Sequence, residues 1–257
     1  MKTSATSLPP RIPSERWRQA QAWERQFWDR QNISSPRWKR LLRPALVLLG
    51  LRPPLPATAP EHDDRNHWWA RQLDGYSMLP DTIGDLCELG CGPYTNTRLI
   101  VRGRSVRSIC CSDPLAIRYV TYERAWLSQA WRARALAVAC HPAEHCPYPD
   151  DRFDVTVLVN VLDHVFDPAA CLAEAIRITK PSGLLVFGQD LTGPDDAQAS
   201  NPGHPFGLTH EQLEPSLVSL ETVYSRIVPR SEMHEPGMHC GAWAYVGRKR
   251  WDPPRSR

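Results

Sequence analysis

The chain has 257 residues, of which 42% are hydrophobic, and this length fits one α/β domain with an extension. The net charge of +3 is too small to indicate any class of partner by itself. The longest apolar stretch, residues 44–51, is far shorter than the roughly 20 residues that span a bilayer. Charge is unevenly distributed, because residues 1–56 contain eleven lysines and arginines but three acids. This segment therefore carries +8 and the rest of the chain −5, which suggests a lid, an anionic partner or a lipid surface for the basic segment.

The eight cysteines do not form the pattern of a disulfide framework. None belongs to a CxxC pair, and several lie in apolar runs, where cysteine behaves as a small buried hydrophobe. Residues 1–16 are polar and contain proline, so no signal peptide is predicted. The sequence therefore predicts a reduced, cytoplasmic protein.

The first part of the chain, residues 1–60, is a basic segment rich in tryptophan. Its start has the composition of a disordered segment, and Trp17, Trp23 and Phe27 then recur at helical spacing between Ser14 and Gln31. A second short helix is predicted from Pro36, and residues 52–60 are rich in proline, as linkers are. We expect the tryptophan face to form a lid. Nucleic-acid binding, a membrane surface and a subunit contact remain alternatives.

The second part, residues 61–250, alternates short apolar runs with amphipathic stretches, which is typical of βαβ units, and residues 251–257 form a tail. Strands are predicted at 83–88, 108–112, 136–139, 154–159, 183–188, 221–228 and 241–248. Helices are predicted at 62–73, 95–101, 116–129 and 168–178. The expected fold is a Rossmann-like, doubly wound α/β domain with a mostly parallel seven-stranded sheet and an N-terminal helical extension.

A glycine turn follows the first predicted strand, with Glu88 at the end of the strand and Gly90 and Gly92 behind it. Glycine lets the backbone turn tightly and approach a ligand closely. Asp113 ends the second predicted strand, 23 positions after Gly90. In dinucleotide-type folds an acid at about this distance accepts hydrogen bonds from the ribose hydroxyls, so the two features together indicate a nucleoside site. The run from Gly90 to Tyr94 is not completed by the third glycine of the GxGxxG pattern, which disfavours a dehydrogenase.

Five segments of the chain, taken in sequence order, resemble the class I S-adenosylmethionine-dependent methyltransferases. Within that class they resemble the small-molecule group called type 11 or ubiquinone-biosynthesis-like. The matching segments are 88–93, 113, 142–150, 153–165 and 177–183. The resemblance implies S-adenosylmethionine as cofactor and methyl transfer to a small-molecule acceptor, with biosynthesis of a secondary metabolite as one setting. It implies cofactor contacts from Glu88, Gly90, Cys91, Gly92, Asp113, Pro114, Ala143, Glu144 and Asn160.

Methyl transfer from an activated sulfonium needs alignment and exclusion of water, and a base helps when the acceptor is an alcohol or phenol. His164 is the first candidate for that base, and His204 in the loop after the fifth strand is the second. A structural histidine at a helix start would equally explain His164, and a loop entering a helix capped by Thr209 would explain His204. For the acceptor pocket we expect Trp68, Trp69, Tyr76 and His210.

No metal site is predicted, although Cys140, His141, His145 and Cys146 lie within seven residues, because their spacing matches no common zinc pattern. Asn160 is not followed by the Pro-Pro-aromatic run of enzymes that methylate DNA bases. Nucleic acid is therefore not a favoured partner, and the oligomeric state is not predicted. The alternatives are a methyltransferase for RNA, protein or peptide docked by the basic segment, a non-catalytic binding protein, and use of the cofactor for other chemistry.

Overall fold

The computed structural model describes residues 7–32, 48, 64–193, 195–196 and 201–251. The helix predicted from Pro36 and the linker predicted at 52–60 lie outside the described residues, apart from the single position 48. None of the helices in the described part is long and apolar enough to cross a membrane.

Seven strands form one sheet, in the order β3-β2-β1-β4-β5-β7-β6. Neighbouring strands are parallel except that β7 runs antiparallel to both β5 and β6. The mostly parallel, Rossmann-like sheet expected from the sequence is confirmed. The strands are β1 (Thr82–Leu89), β2 (Ser105–Ser112), β3 (Ala137–Ala139), β4 (Phe153–Val159), β5 (Thr179–Leu191), β6 (Leu220–Pro229) and β7 (Gly241–Lys249).

Two apolar layers cover the sheet, because successive side chains of a strand point to opposite faces. Every residue of β4 except Asp154 is buried, which explains the nearly continuous apolar run of a strand covered on both sides. One layer contains Cys87, Leu158 and Leu185, and the other contains Leu86, Val157 and Val186. The helices are α1 (Ser14–Asn32), α2 (Asp64–Gln72), α3 (Thr97–Ile100), α4 (Ala116–Tyr119), α5 (Trp126–Arg132), α6 (Pro168–Ile178) and α7 (His210–Leu213).

The helix predicted at residues 116–129 is wrong, because the structure divides it into α4 and α5. Between them the chain turns Tyr122 inward, where its ring is buried and its hydroxyl donates to Asp29 at 2.7 Å. The β-branched Val120 and Thr121 lower the helix propensity at the break. The tertiary contact of Tyr122 therefore overrides an amphipathic pattern that continues through it.

Helix α1 packs on the carboxyl end of the sheet through polar contacts as well as aromatic ones. Asp29 accepts hydrogen bonds from Arg118 and from Tyr122, each at 2.7 Å, and the bond from Arg118 holds the pKa of Asp29 below its usual value. Tyr94 donates to Asn32 at 2.6 Å. These bonds fix the C-terminal half of α1 over the domain.

Replacing Asp29 by alanine should loosen α1 without unfolding the domain. The Asp29–Arg118 pair is partly exposed, so we expect a loss of about 1 kcal/mol in the free energy that holds α1 in place. Hydrogen exchange of residues 14–32, read by mass spectrometry, should become roughly fivefold faster. Glu15→Ala, which removes an exposed ion pair of the same helix, is the control and should leave the exchange unchanged. Equal exchange in both variants would contradict this account of the docking.

Candidate active site

A cavity of about 620 Å³ lies at the carboxyl ends of the parallel strands. Its walls include the loop after β1, the ends of β2 and β4, and one face of α1. Strand order reverses between β1 and β4, and such switch points are where open α/β sheets bind ligands. The volume is in the range of pockets that enclose a cofactor or a drug-sized ligand.

Glu88 lies beneath the loop that follows β1, with 1% of its surface exposed. Its carboxylate accepts hydrogen bonds from the backbone N–H groups of Asn96 and Thr97 at 2.8 and 2.9 Å. The Thr97 hydroxyl and the Asn96 amide add bonds of 2.6 and 3.1 Å. Burial raises the pKa of Glu88, and these four bonds oppose that shift. Glu88 is bonded to the loop and is not among the residues that line the cavity, so its direct contact with the cofactor stays a prediction.

Gly90 and Gly92 both have positive φ, at +64° and +56°. A Cβ on Gly90 would lie 2.6 Å from the Val161 side chain, so only glycine lets this loop pack against the segment after β4. A Cβ on Gly92 would meet no atom within 4 Å, because the residue faces the cavity. Cys91 is buried between them and donates its N–H to Ser112 at 3.1 Å.

Asp113 projects into the cavity from the end of β2, as the sequence predicts. One carboxylate oxygen accepts from the Leu115 N–H at 2.7 Å and the other from the Gly92 N–H at 3.2 Å. Burial raises the pKa of Asp113 to about 6, against the effect of these two bonds. A ribose diol would supply the further donors that a buried carboxylate lacks here, so the residue fits a nucleoside. Pro114 lines the cavity beside it.

Ala143, Glu144 and Asn160 also line the cavity. Glu144 accepts hydrogen bonds from the N–H groups of Phe166 and Asp167 at 2.6 and 3.3 Å, and burial raises the pKa of Glu144. Asn160 has φ +57° and its side-chain oxygen accepts from the Asp190 N–H at 3.2 Å. The loops after β3 and β4 are thus tied to each other and to β5.

Asp163 and His204 form a buried pair at the cavity, with Nδ1 of His204 2.5 Å from Oδ2 of Asp163. Gln189 donates to the second oxygen of Asp163 at 3.1 Å. The ring of His164 contacts that of His204 at a tilt of 51°, with ring centres 4.2 Å apart, and Nδ1 of His164 lies 3.7 Å from Glu24 of α1. Both histidines line the cavity. The structure thus brings together the two candidate bases and adds the buried carboxylate of Asp163.

The charges in this cluster favour a neutral His204. Burial opposes the charge of Asp163, but the charge of His164 and the hydrogen bonds from His204 and Gln189 hold the pKa of Asp163 below its usual range. Burial alone would lower the pKa of His164, yet Asp163 and Glu24 raise it above its usual value. Burial and the neighbouring His164 lower the pKa of His204. A neutral imidazole whose Nδ1 proton is held by a carboxylate leaves Nε2 able to accept a proton.

One face of α1 covers the cavity with aromatic side chains. Trp23, Phe27 and Trp28 all line it, and the rings of Trp23 and Phe27 are stacked at 5.4 Å. Trp23 also packs on Gly203, where a Cβ would lie 2.3 Å from its ring. The helical spacing of these aromatic residues thus places them on the ligand side of α1.

Of the four residues expected in the acceptor pocket, Trp69 lines the cavity and the other three do not. The indole N–H of Trp68 donates a hydrogen bond to the backbone oxygen of Glu232 at 3.0 Å, beneath the cavity wall. Tyr76 is buried in the core and contacts Asn96, and His210 packs on Trp243 with ring centres 4.5 Å apart. These three side chains make structural contacts away from the cavity lining, and their place in an acceptor pocket stays a prediction.

The candidate metal-binding side chains in residues 140–146 make separate hydrogen bonds to other parts of the chain. His141 contacts the Ser112 hydroxyl at 3.1 Å, and Cys146 is buried with its N–H donated to Glu174 at 2.6 Å. Among the described residues, the group whose potential ligand atoms lie within 4.8 Å of one another is Asp163, His164 and His204.

Comparison with known proteins agrees with this geometry. Residues 87–187 match the model of the methyltransferase domain family. A protein of Mycobacterium tuberculosis named "Probable S-adenosylmethionine-dependent methyltransferase" is 29% identical over 169 residues, or 63% of this chain and 57% of that protein. These similarities support a class I S-adenosylmethionine-dependent methyltransferase.

Two further proteins are similar to this chain. A rat thiol S-methyltransferase is 28% identical over 147 residues, which cover 51% of this chain and 54% of that protein. The chain thus spans little more than half the length of these curated relatives. The 1,6-didemethyltoxoflavin-N1-methyltransferase of Burkholderia thailandensis, solved with S-adenosylhomocysteine, has a TM-score of 0.59 at 15% identity, covering 95% of this chain and 93% of that one. At that identity the likeness shows the shared fold.

S-adenosylmethionine, the cofactor of this family, fits the cavity because a buried carboxylate and an open glycine face lie where a nucleoside would bind. Gly92→Ala should therefore weaken its binding at least tenfold, since the methyl group would occupy cavity space. Gly103→Ala is the matched control, because Gly103 also has positive φ and open space around its Cβ position but does not line the cavity. Both variants carry the same backbone strain of about 1 kcal/mol, which thermal unfolding should show. Calorimetric titration measures the affinity, and equal affinities in both variants would rule out a ligand at Gly92.

Proposed function

We propose that this protein transfers the methyl group of S-adenosylmethionine to a small-molecule acceptor that carries an ionisable hydroxyl, thiol or amino group. The observation that carries the proposal is one cavity that joins the glycine turn, the Asp113 carboxylate and the Asp163–His204 pair. The cofactor supplies an already activated methyl group, so the protein's task is to align the acceptor and remove its proton.

Different residues of this chain hold different parts of the cofactor. Asp113 accepts hydrogen bonds from the ribose, and the loop held by Glu88 places the backbone of Gly90 and Gly92 against the amino-acid part. Ala143 and Pro114 border the adenine. These roles follow from their places on the cavity wall and from the family's motif order.

His204 is the base we propose. Asp163 fixes its tautomer with the proton on Nδ1, so Nε2 accepts the acceptor's proton as the methyl group is transferred. His164 is the more readily protonated ring of the pair, which keeps positive charge beside Asp163 and leaves His204 neutral. The aromatic face of α1 excludes water from the reaction and suits an apolar or aromatic acceptor.

The printed names of relatives support a small acceptor, because they include a thiol S-methyltransferase and a didemethyltoxoflavin methyltransferase. The other function classes are less favoured by the described residues, since the cavity is closed by α1 on one side and has the size of a small-molecule site. The basic positions from 33 to 56 lie outside the described residues, so docking of a macromolecule stays a separate prediction.

Calorimetric titration of the intact chain with S-adenosylmethionine and S-adenosylhomocysteine is the direct test. We expect micromolar binding that Asp113→Ala abolishes. A panel of phenols, thiols and amines, read by S-adenosylhomocysteine formation, then identifies the acceptor class. Binding without turnover on any acceptor would favour a non-catalytic protein, and the absence of binding would overturn the proposal.

Replacing His204 by glutamine should lower kcat by about 100-fold or more while the affinity for S-adenosylmethionine changes less than about threefold. Asp163→Asn should lower kcat to a similar degree, because the wrong tautomer of His204 would be held. The measurement is S-adenosylhomocysteine formation with the best acceptor of the panel. His210→Gln, which alters a histidine outside the cavity, is the control. A kcat that survives in His204→Gln would assign the proton transfer to another group.

Cofactor affinity should depend on pH through Asp113, whose pKa is raised to about 6 by burial. The ribose hydroxyls need an ionised acceptor, so affinity should rise from pH 5 to 7 by about tenfold and level off above that. The cofactor's own α-carboxyl and α-amino groups keep their charge over this range. The charges of Glu24 and His164 also act on Asp113, so Asp113→Asn is the deciding control. A pH profile that is unchanged in this variant would assign the titration to one of those two groups.

A further inference from the structure

Glu24 places a carboxylate in the cavity from the aromatic face of α1. One of its oxygens accepts a hydrogen bond from the indole N–H of Trp28 at 2.6 Å, and the other lies 3.7 Å from Nδ1 of His164. The side chain is 18% exposed, so the carboxylate is largely removed from water. A carboxylate in such surroundings is costly unless a positive charge or further hydrogen bonds compensate it.

Three aromatic rings of the same helix accompany this carboxylate. Trp23 precedes Glu24, and Phe27 and Trp28 follow it by three and four positions, which places them on the same side of the helix. The rings of Trp23 and Phe27 are stacked at 5.4 Å, and those of Phe27 and Trp28 meet edge to face at 5.2 Å. All three line the cavity. Aromatic faces attract protonated amines by cation–π interaction, and carboxylates accept charge-assisted hydrogen bonds from them.

The described residues that line the cavity carry more acids than cations. Arg65 is the one lysine or arginine among them, and it forms an ion pair of 3.1 Å with Glu235. The remaining acids in this described lining are Glu24, Asp113 and Glu144. Such a cavity attracts positively charged ligands.

The charges next to the proposed base distinguish between classes of acceptor. When His164 is protonated it lies 3.8 Å from Asp163 and 3.7 Å from Glu24, so these three groups together keep one negative charge. Removing a proton from a hydroxyl or thiol would create a second negative charge close to Glu24, which is unfavourable. An ammonium ion brings a positive charge to the same place and becomes neutral when it loses its proton. The cluster therefore favours an amine over a phenol or a thiol.

Two observations separate Glu24 from the residues assigned to the cofactor. It lies outside residues 87–187, the segment that matches the methyltransferase domain model and contains the glycine turn and Asp113. Its neighbour Trp23 lies against the proposed base, with 6.3 Å between the ring centres of Trp23 and His204. Proteins that share a fold and a cofactor differ in their acceptors, so a residue of α1 beside the base fits recognition of the acceptor.

We propose that the acceptor is an amine that binds as an ammonium ion, with Glu24 as the residue that determines this specificity. The proposal rests on the proposed function, in which His204 is the base. The ammonium nitrogen gives one proton to Nε2 of His204, and its freed electron pair forms the bond to the methyl carbon. The pair of electrons that held the methyl group stays on the sulfur of the cofactor. The product leaves as an ammonium ion with one more methyl group, and His204 returns its proton to water.

Pairs of small ligands that differ only in their terminal group test the charge preference directly. The pairs are benzylamine and benzyl alcohol, phenethylamine and phenethyl alcohol, and tryptamine and tryptophol. Each compound is titrated calorimetrically into the full chain with S-adenosylhomocysteine present, near neutral pH, where these amines are protonated. At least one amine should bind at least about tenfold more tightly than its alcohol, and Glu24→Gln should abolish that preference. Glutamine keeps an acceptor for the N–H of Trp28, so this variant removes the charge and retains the bond.

Matched controls identify what the carboxylate binds. Glu15→Gln, the same substitution at an exposed position of α1, should keep the preference for amines. The charge of Glu24 also acts on Asp113, so S-adenosylmethionine and S-adenosylhomocysteine are both titrated into Glu24→Gln. Both affinities should change less than about threefold, because the cofactor is held by other residues. A larger loss for either compound would assign Glu24 to the cofactor and overturn the proposal. It is also overturned if no amine binds more tightly than its alcohol, or if the preference survives in Glu24→Gln.

Turnover gives a second, independent readout. Amines of the acceptor panel should yield S-adenosylhomocysteine together with a product whose added methyl group lies on nitrogen, as mass spectrometry and NMR show. Turnover confined to phenols or thiols would overturn the assignment of an amine and leave the proposed methyl transfer standing. Failure of S-adenosylmethionine to bind would instead overturn the methyl transfer itself.

Discussion

The site depends on one buried carboxylate. Glu88 accepts four hydrogen bonds from Asn96 and Thr97, and these bonds hold the segment from the end of β1 to the start of α3 in a single conformation. Without them the burial of Glu88 would cost several kcal/mol, and the C-terminal end of the loop would lose its bonds to β1. The glycine turn, the floor of the cavity and the contact with the segment after β4 all follow from that loop.

Two buried carboxylates at the cavity, those of Asp113 and Asp163, have different hydrogen-bond partners. These partners determine what each carboxylate can do. Burial raises the pKa of Asp113 to about 6, and its two backbone donors leave room on the cavity side, so the ionised carboxylate suits a ligand that donates hydrogen bonds. Asp163 has imidazole and amide donors and stays ionised. One acid is thus available to a ligand while the other is used to orient His204, and burial alone does not distinguish them.

The sequence was sufficient to predict the sheet, because β4 and β5 are apolar on both faces and no alternative hydrophobic period fits them. The strand-end position of Asp113 and the family resemblance for Ala143, Glu144 and Asn160 selected residues that all line one cavity. The sequence could not divide residues 116–129 into two helices, since the break depends on Tyr122 reaching Asp29 of a distant segment. Likewise, Trp68, Tyr76 and His210 carried no signal to separate core from pocket. The pairing of Asp163 with His204 spans 41 residues and is a tertiary contact without a local motif.

The contact between Trp23 and Gly203 has a consequence for how this protein can diverge. A Cβ at Gly203 would overlap the indole ring, so any larger residue there requires a smaller one at position 23. Position 23 also shapes the cavity, which means that a change in the loop after β5 is transmitted to the volume available to the ligand. Homologues are therefore expected to vary these two positions together, and their joint identity should sort the family by the size of the acceptor.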